Sequence, residues 1–162
     1  MKKLIPALII IAVIGSAIML LLPGDQKKIE DSLEKGSKAM RDERISKIMS
    51  LVSHEYSDTY GLSYGALQRI FARTFFQIDS IEVTYTIRSL AINKKSATVI
   101  IDITVTGSPA GNKQFIIGKP NSPELLTLTY TKGWLKWTVI ESHWQNHRFL
   151  EDAFGIPLPS HL

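Results

Sequence analysis

The chain opens on a block with no alternation of apolar and polar positions. Residues 4–22 are apolar or small and carry no charge, interrupted only by Pro6 and by Gly15-Ser16. In a helix rising about 1.5 Å per residue this run reaches ~28 Å, close to the ~30 Å hydrocarbon core of a bilayer. Pro23-Gly24 ends it, and charges return with Asp25, Lys27 and Lys28. The pattern then becomes amphipathic. Ile29, Leu33 and Met40 fall on one stripe with Gly36 between them, which predicts a helix over 25–40 that Asp25 can cap. The stripe fails at Arg41-Asp42-Glu43. Ile45, Ile48, Met49 and Val52 resume it at spacings of three and four, the mark of a second, short helix. A polar connection over 56–61 follows. Ser63 can cap a third helix over 63–76, with Leu67, Ile70, Phe71 and Phe75 on its inner side.

After Asp79 the period drops from helical to two. Ile81, Val83, Tyr85 and Ile87 alternate with Glu82, Thr84, Thr86 and Arg88 in a first strand over 80–93. Asn93-Lys94-Lys95 reads as a turn. Ala97, Val99, Ile101, Ile103 and Val105 alternate with mostly polar neighbours in a second strand. The loop over 107–123 is rich in Gly, Pro and Asn, and Phe115-Ile116-Ile117 within it is a candidate edge strand. A third strand is expected over 124–131, a tight turn at Lys132-Gly133, and a fourth strand over 134–142. Helices first and an antiparallel meander afterwards make this an α+β fold, with three helices packed on one face of a curved four-stranded antiparallel sheet.

Composition adds limits. The chain has 162 residues, one domain plus the opening run, so the expected division is 1–23, 24–145 and a proline-punctuated tail over 146–162. The opening run reads as a transmembrane anchor. Its rival is a cleaved signal peptide, with Met1-Lys2-Lys3 as the basic start and Gly15-Ser16-Ala17 as the small-residue cleavage site. The basic start and very short tail favour export of the domain, placing it on the outer side of a bacterial inner membrane. The net charge is +4, and Lys2 and Lys3 supply half of it. A folded part so mildly basic does not suit nucleic acid. Cysteine is absent, which excludes disulfides, thiolate metal sites, cysteine nucleophiles and a lipidated cysteine after the run.

The order of elements and the residues at its joints resemble the nuclear transport factor 2-like superfamily, also called SnoaL-like or cystatin-like. Three features carry the resemblance: the segment 45–52 leading into His54-Glu55-Tyr56-Ser57-Asp58, Tyr60-Gly61-Leu62-Ser63 feeding the third helix, and the closing hairpin Lys132-Gly133-Trp134-Leu135-Lys136-Trp137. The likeness covers roughly 25–144. It implies a cone, with helices across a bent sheet and a pocket at the wide end. In that superfamily the pocket serves isomerases, dehydratases, cyclases and binding modules alike, so the fold does not fix the function.

An enzyme of this type needs an acid or base inside the cone and a second group to hold an oxyanion. On strand parity, Glu141 shares a side with Leu135, Trp137 and Val139, and His143 follows two residues on. These two are the candidate catalytic pair, with Tyr56, Tyr60 or Tyr85 as hydroxyl donors; the plainer reading leaves both at a strand end in water. His143, His147 and Glu151 have helical spacing, a weak metal signal without the general-base glutamate of the metalloprotease motif, and the reading here is no metal and no cofactor. Tyr56, Tyr60, Tyr64, Tyr85, Trp137 and Trp144 are the candidates for lining an apolar pocket or contact surface, with plain core packing as the alternative. Strand parity places mainly Ile, Val, Leu and Trp inside. The sequence therefore reads as a non-catalytic, membrane-anchored binding or assembly module, partnered by the membrane through 4–22 and by a second copy or a membrane protein. The alternative is a small-molecule binder, or an isomerase or dehydratase, that uses the cone.

Overall fold

The structure is a computed structural model that describes residues 24–146. The apolar run and the tail, and with them the expected anchor, His147 and Glu151, lie outside the described residues. Among the described residues no helix is long and apolar enough to cross a membrane. The elements are α1 (Asp25–Arg41), α2 (Ile45–Met49), α3 (Tyr64–Gln77), β1 (Ile78–Asn93), β2 (Ser96–Pro109), β3 (Gln114–Ile117), β4 (Glu124–Lys132) and β5 (Trp137–Trp144).

α1 buries Ile29, Ser32, Leu33 and Ser37 against the sheet side, a stripe at three- and four-residue spacing. Its end has a defined chemistry. Glu43 adopts φ +54°, and the amides of Glu43 and Arg44 donate to the carbonyls of Met40 and Ala39 at 3.1 and 2.8 Å. This is a Schellman stop with glutamate in the place glycine prefers. α3 begins at Ser63, whose hydroxyl accepts from the Ala66 amide, and runs directly into β1.

All strand pairs are antiparallel, in the order β1-β2-β4-β5. The central β2 pairs β4 over Ser96–Ile103 and β3 from Val105 to Gly107, so β3 and β4 share one edge of β2 in succession. Gly118 makes that succession possible. It has φ +60°, and a Cβ there would lie 2.7 Å from both the Ile103 carbonyl oxygen and the Glu124 nitrogen, too close for any other residue. Irregularities at 79–82 and 87–89 of β1 bend the long β1–β2 hairpin around the helices. The free edge of β5 is covered: residues 51–53 bridge Val139 in parallel, and the Ser57 amide donates to the Ile140 carbonyl, which protects an otherwise open strand. The core gathers Ile29 and Leu33 of α1, the alternating Ala97 to Val105 of β2, and Tyr130 and Trp137.

Two expectations are corrected. The sheet has five strands rather than four, because the candidate edge strand at 115–117 forms, as Gln114–Ile117 paired with β2; four residues are too few to show a period against a Gly- and Pro-rich background. The last strand begins at Trp137, not at Trp134. The Gly133 amide donates to the Lys136 carbonyl at 2.9 Å, closing a turn that leaves Trp134 and Leu135 98% and 87% exposed.

Candidate functional site

A cavity of about 260 Å³ lies between α1, α3 and the inner face of the sheet. α1 contributes Ser32, Leu33, Ser37 and Met40; α3 contributes Leu67, Ile70, Phe71 and Thr74; the sheet contributes Val83 and Tyr85, the β2 alternation, Leu126, Leu128, Tyr130, Val139, Ser142 and Trp144. Among the described residues, no carboxylate, imidazole, ammonium or guanidinium is on the lining. Beside the Trp144 indole its polar side-chain groups are hydroxyls, and their partners differ.

Ser37 Oγ donates to the Val83 carbonyl and accepts from Arg41. Thr74 Oγ1 donates to the Ile70 carbonyl at 2.9 Å. Ser142 Oγ and the Tyr56 hydroxyl pair at 2.7 Å. Among the described residues Ser32 Oγ, on a residue 7% exposed, has no hydrogen-bond partner. It lies near enough to the Tyr130 hydroxyl to temper that phenol's shift, but no atom meets it in bonding geometry. Burial still pushes Tyr130 up to about 12, and burial raises Tyr85 as well. Both phenols are neutral donors and acceptors at physiological pH. A buried hydroxyl without a partner is costly, by about 1–3 kcal/mol, and Ser32 has capacity left for one.

The sequence candidates divide. Tyr85 and Trp144 line the cavity. Tyr56, Tyr60, Tyr64 and Trp137 are placed elsewhere. The Tyr56 hydroxyl donates to Asp58 Oδ2 at 2.9 Å, and burial raises its pKa strongly. The Tyr60 hydroxyl donates to the Trp144 carbonyl at 2.8 Å and accepts from the Trp144 amide; burial raises this phenol too. The Tyr64 ring stands 4.4 Å from that of His54. Trp137 is buried at the other end of β5, where its Nε1 donates to Asp25 Oδ1 at 3.1 Å.

Glu141 and His143 are not on the lining either. The reason is a bulge. Tyr130 pairs with Val139 but Thr129 pairs with Glu141, so Ile140 is an extra residue in β5. An inserted residue reverses the facing of all that follow. Trp137 and Val139 face in, and beyond the bulge Ser142 and Trp144 do. Glu141 and His143 face the other side, His143 near Tyr60 with its ring stacked at 5.9 Å. His143 sits on a strand, so the helical spacing proposed for a metal site fails at its first member. Among the described residues no group of three or more His, Cys, Asp or Glu gathers to hold a metal.

Sequence reasoning missed Ser32, Ser142 and Tyr130. Tyr130 has the parity of Leu126 and Leu128, a signal that was present. Ser142 depended on the bulge and had no signal.

No family model matches the chain, and no curated protein does. Solved structures match in fold. A nuclear transport factor 2-like (NTF2-like) protein from Cytophaga hutchinsonii aligns with TM-score 0.60 at 12% identity, over 75% of this chain and 98% of its own. A protein of unknown function with a cystatin-like fold from Nostoc punctiforme gives 0.58 at 14%, over 74% and 89%. A conserved protein from Planctomyces limnophilus gives 0.60 at 12%, over 73% and 92%.

Proposed function

On the premise of a nuclear transport factor 2-like, cystatin-like α+β fold, we propose that this chain is a non-catalytic binding module. It is tethered to the bacterial envelope through residues 4–22, and its cone takes a small, uncharged, mainly hydrocarbon molecule. The observation that carries this reading is the cavity lining: among the described residues, apolar side chains interrupted by hydroxyls and the Trp144 indole, with no ionisable acid or base beyond two phenols. Proton abstraction from a substrate needs a base within hydrogen-bond reach, and the residues that sequence parity offered for that role face away. A neutral ligand with one hydroxyl or carbonyl group suits the spare capacity of Ser32. The volume is below the roughly 300–1,000 Å³ usual for drug-sized ligands, though above the about 150 Å³ that holds benzene.

The test is a titration of the full chain with a neutral naphthylamine dye, displaced by a medium-chain alcohol, its parent alkane and its carboxylate. The alcohol is expected to compete best and the carboxylate worst. Leu128→Trp, which fills the cavity, is expected to abolish dye binding, and Ser32→Ala to reduce the preference for alcohol over alkane by about tenfold or less, the worth of one hydrogen bond. Strongest competition by the carboxylate, or dye binding untouched by Leu128→Trp in a folded protein, would rule the reading out.

A further inference from the structure

The turn between β4 and β5 breaks the usual chemistry of turns. Such positions favour Gly, Pro, Asn, Asp or Ser, yet here Trp134 and Leu135 stand almost wholly in solvent. The Gly133–Lys136 hydrogen bond closes the turn without help from either side chain. Adjacent exposed Trp and Leu at a hairpin tip therefore have no role in holding the fold.

Their surroundings have a consistent character. The β1–β2 turn lies alongside, since the Lys132 amide donates to the Lys95 carbonyl at 2.8 Å. Lys94, Lys95 and Lys136 thus flank the apolar pair, and among the described residues none of the three has a carboxylate partner; Lys136 Nζ donates to the Ser50 carbonyl at 2.8 Å and keeps further N–H groups to offer. The start of α1 is pinned to the same hairpin: Asp25 accepts from Lys132 Nζ at 2.6 Å and from Trp137 Nε1. Gly24, where the described chain begins, is consequently at this tip, and the uncharged run 4–22 ends just before it. Gly24, which follows the apolar run in sequence, the exposed Trp-Leu pair and three lysines without a carboxylate partner among the described residues lie at one end of the molecule.

We propose that this end is a membrane-docking surface, in which Trp134 and Leu135 enter the headgroup region of an anionic phospholipid bilayer while Lys94, Lys95 and Lys136 contact its phosphates. Tryptophan partitions to that depth because one edge of the indole is apolar and its N–H can bond to headgroups. Each lysine near an anionic surface strengthens association about fivefold. The proposal rests on the tethered reading above, and it fixes the orientation: the hairpin tips face the bilayer, and the cavity, toward the other end of the strands, faces away.

The chain has no cysteine, so single labels can be placed in the full-length protein. We would label Leu135→Cys, and separately Asn121→Cys in the loop at the opposite end, with a nitroxide. Each is reconstituted into vesicles of phosphatidylcholine with phosphatidylglycerol, and accessibility to oxygen and to a water-soluble nickel reagent is measured. The expected result is a label at 135 shielded from nickel and open to oxygen, at least threefold relative to 121, with Lys94→Glu/Lys95→Glu returning it to the value at 121. Equal nickel access at 135 and 121 in vesicle-bound protein overturns the docking surface and leaves the tether standing. Protein that fails to float with vesicles overturns both. Shielding of 135 from both reagents marks a protein contact and overturns the lipid assignment.

Discussion

Asp25 shows how one side chain can tie a sequence signal to a tertiary role. Its carboxylate was expected to cap a helix, but no side-chain cap bond forms at this helix start. Instead it reaches across to Lys132 and Trp137. The hydrogen bond from Lys132, and next that from Trp137, hold its pKa below the ordinary 3.8. The stability this contributes is complete above that ordinary value and is lost as pH falls from it through the lower folded value. Asp25→Asn is expected to destabilise at neutral pH by less than about 1 kcal/mol, since the pair is partly solvated. Urea midpoints of the two proteins should converge as pH drops below 3.8. A gap that stays constant across that range would remove the ion pair as its cause. Asp58 plays a comparable joining role: its two oxygens accept from the Tyr56 hydroxyl and from the Tyr60 and Leu62 amides. That explains why two tyrosines that looked like pocket residues serve as clips for the connection to α3.

Among the elements, α3 is the least bound. It lines the cavity with one side, yet Thr74 is its one buried residue and Phe76 is 91% exposed. α1, by contrast, buries five residues. Local stability follows burial, so amides in the middle of α3 are expected to exchange with deuterium at least tenfold faster than those of α1 around Leu33. Equal protection in the two helices would contradict this. The bulge at Ile140 acts at the same scale. One extra residue decides that Ser142 and Trp144, rather than Glu141 and His143, meet the cavity.

At the scale of the whole molecule, the strands separate two ends. From Ser96 to Val105, β2 covers about 30 Å at ~3.3 Å per residue. The hairpin tips and the start of α1 occupy one end, and β3, the end of β5 and much of the cavity lining lie toward the other. A ligand bound in the cavity stabilises the fold by mass action, about 2.7 kcal/mol at one hundred times its dissociation constant. Saturating medium-chain alcohol is therefore expected to raise the thermal midpoint of the wild-type chain, and to leave that of Leu128→Trp unmoved. An equal rise in both would mean binding outside the cavity.

Much of this was legible along the chain. The three helices, the long hairpin and the α+β class followed from hydrophobic period, which reports burial one residue at a time. The inner stripe of α3 and the alternation of β2 were equally plain as core-facing positions, but of the six aromatics named for the pocket only Tyr85 and Trp144 line it. The opening apolar run and the lack of cysteine are properties of the sequence alone. Tertiary structure decided the rest, because each remaining feature depends on a partner distant in sequence. The pairing of Thr129 with Glu141 creates the bulge that turns Glu141 and His143 away from the cone. The short β3 exists only against β2, and the exposure of Trp134 and Leu135 is set by a turn whose closing bond parity cannot register. Asp25 finds Lys132 and Trp137 more than one hundred residues away, and no local pattern encodes a contact of that range.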